Sequence, residues 1–167
     1  MSQANFSWIT PEIAVGGFVP AGSEAALARD HSVDAVIDCR EEACDDADAL
    51  TAAGIAFCHL PTPDHHGLVR IDLDTGVAFA RDRLERGDKV LIHCQHGIGR
   101  SALLALCLLV DRGMTPTEAL ELAKDRRWQV SPSPHQYEAW AQWLRVNDHP
   151  PAPTFTEFEL VAYRERR

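Results

Sequence analysis

His93-Cys94-Gln95-His96-Gly97-Ile98-Gly99-Arg100-Ser101 sets two glycines between a cysteine and an arginine near the middle of this chain. A short apolar run, Lys89-Val90-Leu91-Ile92, precedes it, and a longer one, Ala102 to Val110, follows. Length and composition predict a buried strand, a tight glycine-containing loop and a buried helix. Such a loop aims free backbone N–H groups at one spot, where the helix dipole adds partial positive charge. That spot binds an oxyanion, phosphate above all. Gly97 and Gly99 allow the backbone angles and the close approach that a cradle needs.

Two reactive side chains stand at the ends of the loop. The field that holds a phosphate also stabilises a thiolate, so Cys94 is expected to attack as an anion at neutral pH. Arg100, six positions on, offers a planar fork that matches two phosphoryl oxygens and keeps its charge. Ser101 can donate its hydroxyl to the sulfur and help it leave. The remaining reading, an inert buried cysteine beside a chance arginine, requires that the positive field be absent.

Working outward, 167 residues with 46% hydrophobic and 25% charged content suit one soluble domain with a full-sized core. A formal charge of −9 speaks against nucleic-acid or anionic-membrane binding over the whole surface, so an anionic substrate must be drawn by a local positive pocket. No run reaches the ~18 apolar residues of a membrane span, and Met1-Ser-Gln-Ala-Asn lacks a signal-peptide pattern. Five cysteines (39, 44, 58, 94 and 107) are an odd count without framework spacing, which fits a reducing, cytoplasmic setting. No Cys/His pair has zinc-site spacing, and His65-His66 reads as a polar loop, so neither metal nor cofactor is expected.

Trp8 to Gly17 reads as two short strands around a turn. Ser23 is expected to cap a helix through about Asp30. Val33 to Asp38 is a buried strand, Cys39 to Asp46 a polar strand-end loop, and a helix follows to Ala53. Ile55 to Leu60 is the next strand, ended by Pro61 and Pro63; Thr62 to Arg70 is a loop carrying Asp64. Leu73, Val77, Ala80 and Leu84 repeat at helical spacing. Thr115-Pro-Thr-Glu118 and Ser133-Pro-His-Gln136 are capping boxes that open two further helices. Asp148 to Pro153 is a Pro-rich linker, dividing a domain of residues 1–147 from a tail of 148–167. In that tail Phe155, Phe158 and Val161, with Thr154 and Glu157, suggest a helix docking back; a strand or disorder stays open. Strands alternating with helices argue an α/β layered domain with a largely parallel sheet. Its site lies beyond the carboxyl ends of the strands, where the signature loop, the Asp64 loop and the Arg40–Glu42 loop converge.

His-Cys, five residues, Arg, then Ser resembles the signature of the protein tyrosine phosphatase superfamily. Over residues 6 to 146 the chain resembles its dual-specificity branch: Ile9 to Gly16 its opening strand pair, Val36-Ile-Asp-Cys-Arg-Glu41 its second-strand segment, and Leu60-Pro-Thr-Pro-Asp64 the loop that carries its general acid. The resemblance implies a three-layer domain with a five-stranded, mostly parallel sheet flanked by helices. It also implies a metal-independent phosphatase with a shallow site. His96 departs from the small residue of many relatives and is similar to the lipid-phosphate members.

On this reading Cys94 is the nucleophile, and Arg100 with the loop of Gln95, His96, Gly97, Ile98 and Gly99 holds the phosphate. Asp64 is the general acid, rather than Asp72 or Asp74, and Ser101 assists the sulfur. The substrate is a phosphorylated protein or a small phosphorylated molecule such as a phosphoinositide, and the chain is expected to act as a monomer. His93 reads as a hydrogen-bonded strand-end residue rather than a base. His96 faces either solvent or substrate. Arg40, Arg70, Arg126 and Arg127 read as surface charges. Cys39 ends a strand at the same edge, either as a plain buried thiol or as a disulfide partner for an oxidised Cys94. Two other functions compete: a rhodanese- or arsenate-reductase-like sulfur enzyme, and a non-catalytic phosphate-binding adaptor.

Overall fold

The alternation of short apolar runs with helical periods folds, in a computed structural model that describes residues 4–166, into a sheet enclosed on both faces. Strands β1 (Phe6–Trp8), β2 (Ile13–Gly16), β3 (Ala35–Arg40), β4 (Ala56–Thr62) and β5 (Val90–His93) lie in the order β1-β2-β5-β3-β4. Only the β1–β2 pair is antiparallel. Between and after them run α1 (Glu24–His31), α2 (Ala47–Ala52), α3 (Arg70–Glu85), α4 (Arg100–Asp111), α5 (Pro116–Arg126), α6 (Pro134–Val146) and α7 (Phe155–Ala162).

Side chains alternate across a strand, and here both faces are covered. Ile13, Val15, Ala35, Ile37, Val90 and Ile92 point into a core shared with α3 to α7. Ala14, Val36 and Leu91 point the other way, into a smaller core with Leu27 of α1 and Leu50 of α2. The result is the expected three-layer α/β domain. Every residue from Arg100 to Val110 of α4 is buried, as its all-round apolar sequence requires.

Both Pro-led helices carry their capping boxes: the hydroxyls of Thr115 and Ser133 accept from the backbone three residues on, and Glu118 and Gln136 reach back. Ser23 departs from expectation. It stands at the start of α1, but its hydroxyl donates to the Pro20 carbonyl at 2.6 Å and caps nothing. Strand β4 runs on through Pro61 to Thr62. It is an edge strand, where a residue without an N–H costs no ladder bond. Strand β3 likewise continues to Arg40, because its polar end is internally paired: Asp38 accepts from the Arg40 backbone and guanidinium at 3.0 Å each.

After the Pro-rich segment, α7 packs on the domain. Phe158 is fully buried, with ring centroids 4.9 Å from Tyr137 and 6.4 Å from Trp140. The Thr154 hydroxyl accepts from Glu157 N, while the Glu157 carboxylate bonds that hydroxyl instead of the backbone, so the capping box is half formed. Lys124, buried on α5, donates to Ala162 O at 2.8 Å and Val130 O at 2.9 Å. It thereby ties α7 to the segment after α5. Among the described residues no helix is long and apolar enough to cross a membrane.

Truncating Phe158 to Ala should cost ~3–5 kcal/mol, the usual range for an aromatic cavity in a core. Equilibrium urea unfolding measures it. A loss near zero would place α7 outside the cooperative unit.

Candidate active site

Parallel pairing of β5 with β2 and β3 brings Cys94 to the carboxyl edge of the sheet, and α4 begins at Arg100. Between them, every carbonyl is taken from outside the pocket. Cys94 O accepts from the His93 ring at 3.1 Å, and Gln95 O from Phe18 N at 3.1 Å. The Arg127 guanidinium donates to His96 O at 3.0 Å and Gly97 O at 2.8 Å, and Ser131 N to Ile98 O at 2.9 Å. A trans peptide points its N–H opposite to its C=O. With five successive carbonyls held outward, the following amides are turned towards Cys94 and the space above it. Gly97 has φ +69°, and a Cβ there would lie 2.5 Å from both Arg127 and Gly16; a Cβ on Gly99 would meet Gln136 at 2.4 Å. Both positions require glycine for space, and Gly97 for conformation too.

Cys94 is 3% exposed. Burial pushes its thiol up, but the Ser101 hydroxyl at 3.3 Å, the amides of Ser101 and Gly97, and the Arg100 charge outweigh this and bring it below the ordinary value. Cys39, Cys58 and Cys107 shift the other way, pushed up first by burial. All five cysteines are free thiols, and Cys39 is fully buried.

Arg100 is itself held from behind. Its two terminal nitrogens donate to the Glu42 carboxylate at 2.6 and 2.9 Å, and one also to Thr62 O at 2.8 Å. Asp64 lies 3.5 Å from the same guanidinium. The Arg100 Nε is buried and has no partner among the described residues. With the second N–H of Nη2, it is left for a ligand. The Arg100 bond holds the Glu42 carboxyl at about 2, so this carboxylate stays charged at working pH. The Asp64 loop, the Arg40–Glu42 loop and the signature loop therefore do meet. Asp74 instead accepts from the Trp143 indole at 2.9 Å, and Asp72 sits in the first turn of α3.

Beneath the loop lies a charge-balanced cluster. His93 Nε2 meets Asp45 Oδ2 at 2.5 Å while Nδ1 meets a carbonyl. The carbonyl can only accept, so Nδ1 donates to it, and Nε2 faces the Asp45 carboxylate. Burial would lower its pKa, but the Asp45 bond, with Asp45 and Asp38 charges, holds it above the ordinary histidine value. Asp38 and Asp45 also accept from Arg40, which reaches Gln95 Oε1 at 3.1 Å. Asp38, Asp45 and His93 are close enough to hold a metal ion. Both carboxylates are already bonded by Arg40, and Asp45 by the His93 ring as well, so the donor set does not fit a cation.

The mouth is a cavity of about 140 Å³ lined by Asp64, His65, Cys94, His96, Ile98, Gly99, Ser131, Ser133 and Gln136. His96 is exposed at its rim, and Ile98 is 39% exposed. A larger cavity of about 530 Å³ lies between β1, residues 17–20 and α1, with none of these reactive groups. Chemistry ranks above volume here. Gln136, buried, reaches His66 O at 3.2 Å and so links the Asp64 loop to Gly99. Arg40 and Arg127 are 5% and 3% exposed, which corrects the reading of both as surface charges; Arg70 and Arg126 are exposed. Sequence reasoning missed Arg127, Glu42, Asp45 and Gln136, whose partners are backbone atoms or distant loops. The Gln136 capping box was visible, its second contact was not.

A family model for the dual specificity phosphatase catalytic domain matches residues 18–145. Among curated proteins, dual specificity protein phosphatase Mpk3 of Drosophila melanogaster is 29% identical over 83 residues, 48% of this chain and 20% of that protein. Dual specificity protein phosphatase 1B of Arabidopsis thaliana is 34% identical over 62 residues, 36% of this chain and 37% of that protein. The aligned parts thus span well under half of either relative. Among solved structures, the active form of Tk-PTP superposes with a TM-score of 0.76 at 26% identity, over 84% of this chain and 97% of that one. PTPMT1 in complex with PI(5)P gives 0.78 at 25% identity, over 84% and 95%. Most of the chain matches one catalytic domain in sequence, and its backbone superposes on these solved structures over most of its length; the chain belongs to the dual specificity phosphatase family.

Proposed function

We propose that the chain is a metal-independent cysteine phosphatase that hydrolyses phosphate monoesters through a phosphocysteine intermediate. The observation that carries this reading is the loop whose carbonyls are all bonded outward around a thiol of lowered pKa. The Cys94 thiolate attacks phosphorus and the ester P–O bond breaks. Arg100, through Nε, and the inward amides hold the equatorial oxygens as charge spreads over them. Asp64 gives its proton to the leaving oxygen. Water then attacks phosphorus, Asp64 takes a proton from it, the P–S bond breaks and the thiolate is restored with the Ser101 hydroxyl as its donor. Glu42 and His93 orient Arg100 and the loop without touching substrate.

The pocket is small beside the roughly 300–1,000 Å³ that encloses a drug-sized ligand. It takes the phosphoryl end and leaves the rest of the substrate on the surface. That suits phosphotyrosine and phosphoserine or phosphothreonine in proteins. A phosphoinositide is the second reading, favoured by the exposed His65 and His96 at the rim and by the likeness to the PTPMT1–PI(5)P complex.

Turnover of p-nitrophenyl phosphate with EDTA present tests the reading, since a thiosulfate-dependent sulfur enzyme or an adaptor would be silent. Cys94→Ser should bind phosphate and turn nothing over. Iodoacetate should inactivate the wild type well below pH 8, and phosphate should protect; inactivation that begins only above pH 8 contradicts the thiolate. A panel of phosphopeptides and short-chain phosphoinositides then ranks the two substrate classes.

Asp64→Asn should lower kcat by ~10²–10⁴ for alkyl phosphates, the usual range for general acid catalysis. Its effect on aryl phosphates with acidic phenols should be much smaller, because that oxygen leaves without a proton. An equal loss on both, with leaving-group dependence appearing in Asp72→Asn or Asp74→Asn, would move the role to another aspartate.

A further inference from the structure

Four basic side chains lie on or beneath the signature loop, and three of them face a carboxylate. Arg100 has Glu42 and Asp64, Arg40 has Asp38 and Asp45, and His93 has Asp45 with Asp38 behind it. Arg127 has none among the described residues. Its guanidinium, 3% exposed, spends its donors on neutral acceptors: Gly97 O at 2.8 Å, His96 O at 3.0 Å, Asn5 Oδ1 at 3.0 Å and Ser7 Oγ at 3.3 Å. A buried charge without a counter-ion is costly, by several kcal/mol even after relaxation. A fold keeps one where something else compensates it.

The geometry shows what compensates it. His96 O and Gly97 N belong to one peptide unit. Arg127 holds the oxygen end at 3.0 Å, and the nitrogen end donates to Cys94 Sγ at 3.3 Å. Hydrogen bonds in series polarise one another, so a cation on the oxygen makes that N–H a stronger donor to the sulfur. The next peptide is arranged alike, its Gly97 oxygen on Arg127 Nε and its Ile98 N–H turned the opposite way. Burial lowers the Arg127 pKa, and the Cys94 charge opposes that effect.

We propose that Arg127 is a positioning residue for the nucleophile: from behind the loop, its uncompensated charge stabilises the Cys94 thiolate and a bound phosphate through the His96–Gly97 and Gly97–Ile98 peptides. The inference rests on the reading of Cys94 as a phosphate-binding nucleophile and extends it to a residue outside the signature. It gives the site a second cation that never touches substrate. It also explains why Asn5 and Ser7 reach across from the start of the chain: they occupy two further guanidinium donors without adding negative charge.

The test compares Arg127→Gln, Arg127→Lys and, as a control for net charge one position away, Arg126→Gln. The readouts are the pH midpoint of Cys94 alkylation by iodoacetate, followed on the Cys94 peptide by mass spectrometry, and inhibition by inorganic phosphate. Arg127→Gln should raise the midpoint by about one pH unit, the lower end of what a nearby charge does, and weaken phosphate about tenfold. Arg126→Gln should change neither. Arg127→Lys keeps the charge and should recover at least half of the shift. Equal midpoints for Arg127→Gln and Arg126→Gln overturn the proposal, and so does a lysine no better than glutamine, which would make the contact a tether alone. If Arg127→Gln does not fold by circular dichroism, the lysine variant decides. A midpoint near that of wild type supports the proposal, and a shift of about a full unit refutes it. A wild type that neither turns over p-nitrophenyl phosphate nor alkylates below pH 8 removes the phosphatase reading, and this inference falls with it.

Discussion

Five carbonyls pulled outward hold this site together. A loop of N–H groups converging on one point is unstable on its own terms, because its dipoles repel and its carbonyls need partners. Here the five oxygens from Cys94 to Ile98 are bonded by four parts of the molecule: a strand-end histidine, the turn after β2, an arginine after α5 that takes two of them, and the backbone of Ser131. The pocket's positive character follows from those bonds as much as from Arg100. It exists before any ligand arrives, so little reorganisation accompanies the development of charge.

The same constraint explains how a chain of net charge −9 keeps a cluster of inward N–H groups and an arginine at one point. Acidic side chains are admitted near the loop only as seconds to a cation. Glu42 fixes the Arg100 fork while leaving Nε free, and Asp45 orients the His93 ring so that its Nδ1 holds the Cys94 carbonyl. In low dielectric these pairings set direction more than they add stability, since desolvation offsets much of the attraction.

Much of this was legible beforehand. The His93–Ser101 stretch announced strand, loop and helix, because apolar runs and paired glycines report local backbone needs directly. The two capping boxes marked α5 and α6 for the same reason. What stayed hidden depends on contacts distant in sequence. Pro61 breaks a strand in general, and only the edge position of β4 lets it pass. Arg127 sits in Lys124-Asp-Arg-Arg-Trp128, which reads as a charged helix end. Its burial is decided by backbone oxygens thirty residues away, and those leave no mark in a sequence. Ser23 had the right residue type for a cap and found a nearer carbonyl.

The anchoring of the loop also sets a timetable. The oxygens of His96, Gly97 and Ile98 are captured by Arg127 and Ser131, and Arg127 is in turn seated by Asn5 and Ser7, some 120 positions earlier in the chain. Contacts of such separation close late, because the intervening chain must be ordered first. While the polypeptide is being made, a chain that stops short of residue 127 has its cysteine and Arg100 but lacks three of the five bonds that turn the amides towards the sulfur. The environment that lowers the Cys94 pKa thus depends on contacts drawn from both ends of the fold.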